Sequence, residues 1–187
     1  MDFLHESLEA ALKTGVRGEV HFDNFSRVLY STDASNYQIE PIGVVFPRTV
    51  EDVLRTVETA GQYDVAILPR GGGTSLAGQA LGHGLVIDFS KYLNQVLDVD
   101  VKARTVRVQS GIYLEQLSRY LKPYNLMFGP DPATARVATI GGVVGNNATG
   151  AHSILYGMAG DNLEATQVVL ADGSIIELES VDETGLS

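Results

Sequence analysis

Three consecutive glycines directly after a short apolar run constrain this chain more than any other feature of its sequence. Residues 66–68 predict a buried strand, and the chain continues as Pro69-Arg70-Gly71-Gly72-Gly73-Thr74-Ser75. Glycine lets the main chain turn tightly and approach an anion closely, so such a loop can present N–H groups to a pyrophosphate. A glycine-rich turn without any ligand explains this one segment equally well.

Two better-known phosphate-binding loops do not fit the segment. A mononucleotide P-loop ends in Gly-Lys-Ser/Thr, but no lysine lies between Tyr63 and Lys91. A Rossmann fingerprint has the pattern Gly-x-Gly-x-x-Gly, but the sixth position counted from Gly71 is Leu76. Any nucleotide site built on this loop is therefore of a different class.

A second segment rich in glycine and small polar residues follows between Gly129 and Gly160. Such residues make poor core and poor helix, but their backbone can lie flat against an extended ligand. A surface loop is disfavoured because the segment contains large apolar residues that we expect to be shielded from solvent; these are Ile140, Val143, Val144, Ile154 and Leu155. Together the two segments predict a large dinucleotide cofactor bound between two lobes.

The rest of the sequence alternates strand and helix patterns, which predicts an α+β (α/β) fold. Apolar residues share one face of an N-terminal helix, namely Phe3, Leu4, Leu8, Ala11 and Leu12, and an irregular lead-in follows to residue 35. Strands are predicted at 44–46, 85–88, 95–99 and 105–109, with a hairpin at 165–178. Helices are predicted after Thr49, with Asp52 completing a weak capping box, and at 114–121. We divide the chain into a lead-in at 1–35, a first lobe at 36–103 and a second lobe at 104–187.

Composition excludes several classes of function. The formal net charge of -10 and the lack of a Lys/Arg cluster argue against a nucleic-acid partner. The chain has no cysteine, so it has no disulfide, thiolate metal site or Cys nucleophile, and we expect no bound metal. No signal-peptide pattern or apolar run of the ~20 residues needed for a membrane helix is present. We therefore expect a cytoplasmic protein without a transmembrane segment, with peripheral attachment to a membrane left open.

At the glycine-rich segments the sequence resembles the FAD-linked oxidases, the vanillyl-alcohol-oxidase or PCMH-type flavoproteins. The resemblance covers about residues 26–187 and rests on the motifs at 69–75, 129–134, 139–142, 146–150 and 156–157. It is greatest for the branch that oxidises D-2-hydroxyacids such as D-lactate, glycolate or D-2-hydroxyglutarate. Residues 30–35, 69–79 and 88–90 favour the large members that also carry a C-terminal iron–sulfur domain.

The resemblance implies a PCMH-type fold with FAD between two α+β lobes, and it implies roles for single residues. The FAD pyrophosphate would be held by the main-chain amides of Arg70, Gly71, Gly72, Gly73, Thr74 and Ser75, with the two hydroxyls assisting. The approach to the flavin would be lined by Asp131, Pro132 and Thr134. The pyrophosphate, ribityl chain and isoalloxazine edge would be supported by Thr139, Gly141, Gly142, Asn146 and Gly150. Further implied cofactor-binding residues are Pro130, Tyr156 and Gly157.

The same resemblance implies non-covalent FAD, because Thr74 stands where relatives with covalent flavin carry a histidine. We assign no catalytic residue. We interpret His152 as an ordinary hydrogen-bonding histidine and Arg136 as a surface arginine. Asp161 and Asn162 are predicted to form a turn.

The family holds its substrate in a separate cap domain, which this sequence lacks, and the second lobe reads as truncated. We expect the parent protein to transfer a hydride from C2 of a hydroxyacid to flavin N5 and pass the electrons to a further acceptor, and this chain alone to be inactive. Two alternatives stay open: a PCMH-type oxidase or reductase acting on carbohydrates or cell-wall sugars, and a non-catalytic module that has lost flavin.

Overall fold

The computed structural model describes residues 2–179. The side chains of Phe3 and Leu4, and residues 180–187 of the predicted second lobe, lie outside that description. Within it the helices are α1 (Asp2–Gly15), α2 (Asn24–Leu29), α3 (Val50–Gln62), α4 (Leu114–Leu121), α5 (Ile140–Gly145) and α6 (Ser153–Tyr156). The strands are β1 (Glu19–His21), β2 (Gly43–Phe46), β3 (Ile67–Arg70), β4 (Leu85–Asp88), β5 (Val96–Asp100), β6 (Thr105–Val108), β7 (Ala165–Val169) and β8 (Ile175–Glu179).

The N-terminal half is built on one four-stranded sheet with the order β1-β2-β4-β3. Strands β2, β4 and β3 are parallel, and β1 pairs antiparallel with β2 at one edge. Every residue of β4 is buried, as its continuous Leu-Val-Ile run predicts for a central strand of a parallel sheet. Strand β3 forms the opposite edge, so the glycine loop that follows it leaves the sheet at an open side.

Helices α1 and α3 cover one face of this sheet. Leu8 and Leu12 of α1 are fully buried against Val45 and Leu85 of the sheet. The predicted cap of α3 is confirmed, since the Thr49 hydroxyl accepts the Asp52 N–H at 3.2 Å. The prediction that the Asp52 side chain completes the capping box by accepting the Thr49 N–H is wrong. The buried Asp52 carboxylate instead accepts the main-chain N–H groups of Arg17 and Arg48, each at 2.8 Å.

The C-terminal half contains two antiparallel hairpins, β5–β6 and β7–β8. Helix α4 buries Leu114, Leu117 and Leu121 against β5–β6, as the spacing of these leucines predicts. A further small hydrophobic cluster contains Ala138, Val143 and Ala159, and it forms the core of the segment between α4 and β7.

The prediction of an irregular lead-in up to residue 35 is wrong. Strand β1 is part of the sheet, and the partly buried Val20 and Phe22 pack on the core beneath α1. Asp23 then begins α2, with its carboxylate accepting the Ser26 N–H at 2.9 Å. A three-residue strand has no recognisable periodicity of its own, and only its pairing with β2 makes it a strand.

The segment from Gly129 to Gly160 also departs from the prediction. It contains α5, which we did not predict, because Thr139 caps it and its first N–H groups find acceptors on neighbouring loops. Val143 is buried as expected, but Ile154 and Leu155 are largely exposed. The packing of this segment is made by small residues such as Ala159, so the large side chains of α6 face outward.

Candidate functional site

The two glycine-rich segments meet in a cleft where β3 ends and α5 begins. The cleft encloses about 100 Å³. Its lining consists of Pro69, Gly71, Gly72, Gly73, Thr74, Ser75, Gln79, Ala80, Thr139, Gly142 and Asn146. The two segments predicted from sequence to share one site therefore line the same cleft, although most of the intervening chain forms other parts of the fold.

The loop after β3 presents an array of main-chain donors. Within residues 2–179 the structure gives no intramolecular acceptor to the N–H groups of residues 71–75. The Thr74 hydroxyl also has no partner there, whereas the Ser75 hydroxyl oxygen accepts the Gln79 N–H at 3.0 Å. A run of successive free N–H groups is an anion-binding arrangement, and it fits a diphosphate.

The fold itself requires glycine in this loop. A Cβ at Gly71 would overlap the Thr139 hydroxyl, and a Cβ at Gly72 would overlap the main-chain oxygen of Val137. Gly73 has φ +63°, which glycine adopts without strain. The first two glycines thus let the β3 loop touch the segment before α5, and the third reverses the chain.

Helix α5 contributes shape to the cleft rather than free donors. The N–H groups of Ile140 and Gly141 already bind the carbonyls of Ile112 and Ser110 at 2.9 and 2.7 Å. The Gly142 N–H points at the Thr139 hydroxyl at 3.4 Å, and Thr139 itself is buried. A Cβ at Gly142 would meet only that hydroxyl, at 3.5 Å, so this glycine leaves space at the cleft wall.

A hydrogen bond joins the side chains of two residues that line the cleft, and no sequence pattern predicted it. The Gln79 side chain donates to the Asn146 side-chain oxygen at 3.3 Å. Asn146 also donates to the main-chain oxygen of Gly142 at 3.0 Å, which fixes its amide at the end of α5. Gln79 falls in the stretch 69–79 that resembles the flavoprotein family, which is the signal that could have identified it.

Next to the loop, Arg70 and residues of the stretches 30–35 and 88–90 make polar contacts that the sequence did not predict. The Arg70 Nη2 donates to the main-chain oxygen of Thr32 at 2.8 Å, and its guanidinium lies 5.1 Å from the centre of the Tyr30 ring. The Tyr30 hydroxyl donates to Asp88 Oδ2 at 2.5 Å. Burial, and then this contact with the Asp88 carboxylate, raises the pKa of Tyr30 well above its ordinary value, so the phenol keeps its proton.

The remaining predicted residues form a second cluster that is not part of the described lining of the cleft. Gly150 packs where a Cβ would overlap the main-chain oxygens of Pro130 and Asp131, and Gly129 packs against the Cβ of Tyr156. Pro130 and Pro132 are buried, whereas Asp131, Thr134 and Tyr156 are exposed. Gly157 has φ +78°, and a Cβ there would lie 2.6 Å from Asp161 Oδ2.

His152 belongs to this second cluster. Its Nδ1 lies 3.4 Å from Asp131 Oδ2, and its ring contacts the edge of the Tyr156 ring at 6.4 Å between centroids. Arg136 is exposed, in agreement with the prediction of a surface arginine. Asp161 and Asn162 lie in a 3₁₀ turn, where Asp161 accepts the Met158 N–H at 2.8 Å.

Two absences concern the described residues alone. Between residues 2 and 179, no three His, Cys, Asp or Glu side chains are grouped closely enough to hold a metal ion. Over the same range, no helix has both the length and the apolar character that crossing a membrane requires.

Comparison with known proteins agrees with this site. Residues 41–179 match the family described as FAD binding domain. The chain is 38% identical over 184 residues to the D-2-hydroxyglutarate dehydrogenase of Pseudomonas putida, covering 97% of this chain and 18% of that protein. It is 36% identical over 166 residues to the glycolate oxidase subunit GlcD of Bacillus subtilis, covering 86% of this chain and 35% of that protein. The chain thus spans only about a fifth to a third of these relatives.

The fold comparison leads to the same family. The structure superposes on alkyldihydroxyacetonephosphate synthase with a TM-score of 0.80 at 25% identity, covering 100% of this chain and 39% of that one. The predicted PCMH-type α+β fold and the predicted cofactor, FAD, are confirmed. With its two glycine segments meeting in one cleft and its matching sequence, the chain belongs to the FAD-binding domain family of flavin oxidoreductases.

Proposed function

We propose that this chain holds FAD, without a covalent bond, in an oxidoreductase that oxidises the C2 alcohol of a D-2-hydroxyacid. One observation carries the proposal: residues 71–75, whose main-chain N–H groups are free, line the same cleft as Gly142, where a side chain is missing and space is open. When bound, FAD supplies the acceptor for the hydride that leaves C2 as the alcohol becomes a carbonyl.

The residues of the cleft have separate tasks in this proposal. The amides of residues 71–75 and the Thr74 hydroxyl bind the diphosphate, which carries the negative charge of the cofactor. Gly142 lets the cofactor lie close to α5, and the Gln79–Asn146 pair fixes the width of the cleft by joining its two walls. Thr74 stands where relatives with covalent flavin carry a histidine, and this supports non-covalent binding.

The substrate class is proposed from the sequence relatives. The two reported above are named for D-2-hydroxyglutarate and glycolate, and both compounds are 2-hydroxyacids. Alkyldihydroxyacetonephosphate synthase shares the fold at lower identity, 25% against 38% and 36%. We further propose that the hydroxyacid and the downstream electron acceptor bind to parts of the protein beyond this chain, because each relative is several times longer than the matched segment.

Cofactor binding is tested by incubating the purified chain with FAD, removing free FAD by desalting and recording the absorbance spectrum. We expect flavin bands in the retained protein, competition by ADP, and full release of the flavin on acid precipitation. A pellet that keeps its yellow colour would contradict non-covalent binding. A colourless chain that also fails to quench flavin fluorescence on titration would refute the FAD site.

The substrate class needs a second experiment on the complete polypeptide. We expect D-2-hydroxyglutarate, D-lactate or glycolate to bleach the flavin band under anaerobic conditions, and the L enantiomers of the two chiral acids to leave it unchanged. Bleaching by a carbohydrate, with no response to any hydroxyacid, would replace the proposed substrate class while leaving the FAD site intact.

A further inference from the structure

We propose that the guanidinium of Arg70 supplies a fixed positive charge to the diphosphate from behind the glycine loop. This inference rests on the proposed function and assigns a role to the side chain, beyond the main-chain amides of the loop. Three features of the structure carry it: the side chain has no ion-pair partner, it lies against the centre of the loop, and a polar network holds it in one position.

The charge of Arg70 is uncompensated within the described part of the chain. Its side chain is partly buried, and no carboxylate oxygen between residues 2 and 179 lies within 4.0 Å of its nitrogens. Nη1 is buried and has no hydrogen-bond partner there. An arginine without an ion-pair partner can offer its charge and its remaining N–H donors to a phosphate group.

The guanidinium lies directly beneath the loop of free N–H groups. A Cβ at Gly73 would be 2.5 Å from Arg70 Nη2, so the charge contacts the main chain at the middle of residues 71–75. An anion bound by these amides would therefore lie close to the guanidinium. Because the guanidinium is partly buried, salt screens its attraction for such an anion less than it screens a fully exposed charge.

A network of side chains keeps the guanidinium in place. Tyr30 presents its ring to Arg70, and Asp88 holds the Tyr30 hydroxyl. We call residues 30–34 the strap. In the strap, the Thr32 carbonyl accepts a hydrogen bond from Arg70 Nη2, and the Ala34 N–H donates to the Gly73 carbonyl at 3.0 Å. The strap therefore ties the charge and the loop to each other.

Two carboxylates lie in this region, and each accepts hydrogen bonds from groups other than Arg70. Asp88 accepts the Tyr30 hydroxyl on one oxygen and the Ser90 hydroxyl and N–H on the other. Asp33 accepts the Ser35 N–H at 2.8 Å, and its second oxygen is buried without a partner among the described residues. Neither comes within ion-pair distance of Arg70.

The test measures FAD and ADP affinity of the 187-residue chain and of three variants at several salt concentrations. Arg70→Gln keeps a donor for the Thr32 carbonyl but removes the charge, Arg70→Lys keeps a charge but loses the planar fork, and Arg119→Met removes an exposed arginine of α4. We expect Arg70→Gln to weaken both ligands by about 10- to 100-fold, Arg70→Lys by less, and Arg119→Met to have no effect. We also expect the affinity of Arg70→Gln to depend less on salt than that of the wild type, because the lost interaction is electrostatic.

The outcomes separate this inference from the proposed function. Wild-type affinity in Arg70→Gln overturns the inference alone. Weakened binding with an unchanged salt dependence also overturns it, since the side chain would then act only by supporting the loop. If the wild-type chain binds neither FAD nor ADP, the proposed function fails and removes the anion that this inference requires. Thermal unfolding of each variant without ligand identifies any loss of affinity that comes from misfolding, and Arg70→Met gives a second uncharged side chain for the same comparison.

Discussion

Replacing Gly142 by alanine should raise the stability of the ligand-free chain and lower its affinity for FAD. Gly142 lies in the first turn of α5, and a Cβ there would meet only the Thr139 hydroxyl, at the ordinary contact distance of 3.5 Å. The new methyl group therefore fits the fold and occupies space in the cleft.

The two effects have opposite signs, and their sizes follow from the structure. Alanine in place of glycine within a helix stabilises it by about 0.5–1 kcal/mol, so the unfolding midpoint without ligand should rise by about 1–4 °C. A methyl group placed between the wall and a closely packed ligand costs about 1–3 kcal/mol. That cost corresponds to a loss of FAD affinity of about 5- to 150-fold.

The assay pairs thermal unfolding of the ligand-free chain with titration of flavin fluorescence. Gly61→Ala is the matched control, because Gly61 also lies in a helix, α3, and a Cβ there would meet nothing within 4 Å. We expect Gly61→Ala to gain stability and to bind FAD as the wild type does. Gly142→Leu should retain the fold and lose measurable binding.

Either of two results would refute this reasoning. If Gly142→Ala lowers the unfolding midpoint together with the affinity, the glycine is required by the fold and not by the ligand. If the variant is more stable and binds FAD as well as the wild type, the cofactor does not approach α5 at this residue.

Three further predictions concern the fold around the cleft. Gly72→Ala should destabilise the chain by about 3 kcal/mol, measured by urea unfolding, because its Cβ would overlap a main-chain oxygen; an unchanged midpoint would contradict it. Asp52→Ala should cost about 3 kcal/mol in the same assay, since two N–H groups lose a buried carboxylate acceptor, whereas a cost below 1 kcal/mol would show that water replaces it. Contacts from Lys91, then Tyr92 and His21, lower the pKa of Glu19 to about 2. The Glu19 carboxylate therefore adds about 1 kcal/mol to the free energy of unfolding at this partly exposed site. This stabilisation is complete above about pH 4.5 and is lost as the pH falls towards 2. The difference in free energy of unfolding between the wild type and Glu19→Gln should therefore shrink as the pH falls through that range. A difference that stays constant would show that the Glu19 carboxylate is not the group that titrates.

The contacts of the glycines change what the glycine-rich motif means. From sequence, each glycine of the β3 loop could serve close approach to a ligand. In the structure, a side chain at Gly71 or Gly72 would instead collide with the segment before α5. Gly142 is the glycine at which a side chain would enter open space. The motif therefore encodes contact between two loops, and the free N–H groups follow from the conformation that this contact imposes.

Local rules explain what the sequence determined by itself. The buried run of β4, the Thr49 cap of α3 and the spacing of leucines in α4 each depend on neighbours within a few residues. The order of the glycine motifs identified the family and, through the family, the cofactor. The cleft residues 71–75, 139, 142 and 146 were predicted on that basis.

Only the tertiary structure decided features that depend on partners distant in the chain. Strand β1 exists because β2 offers it an edge, and α5 begins where Ser110 and Ile112 accept its N–H groups. The outward direction of Ile154 follows from small residues making the contact on the other side, which composition does not reveal. The unpaired charge of Arg70 beneath Gly73 is likewise invisible in sequence. Which atoms surround a side chain depends on how separate segments pack, and no local pattern records that packing.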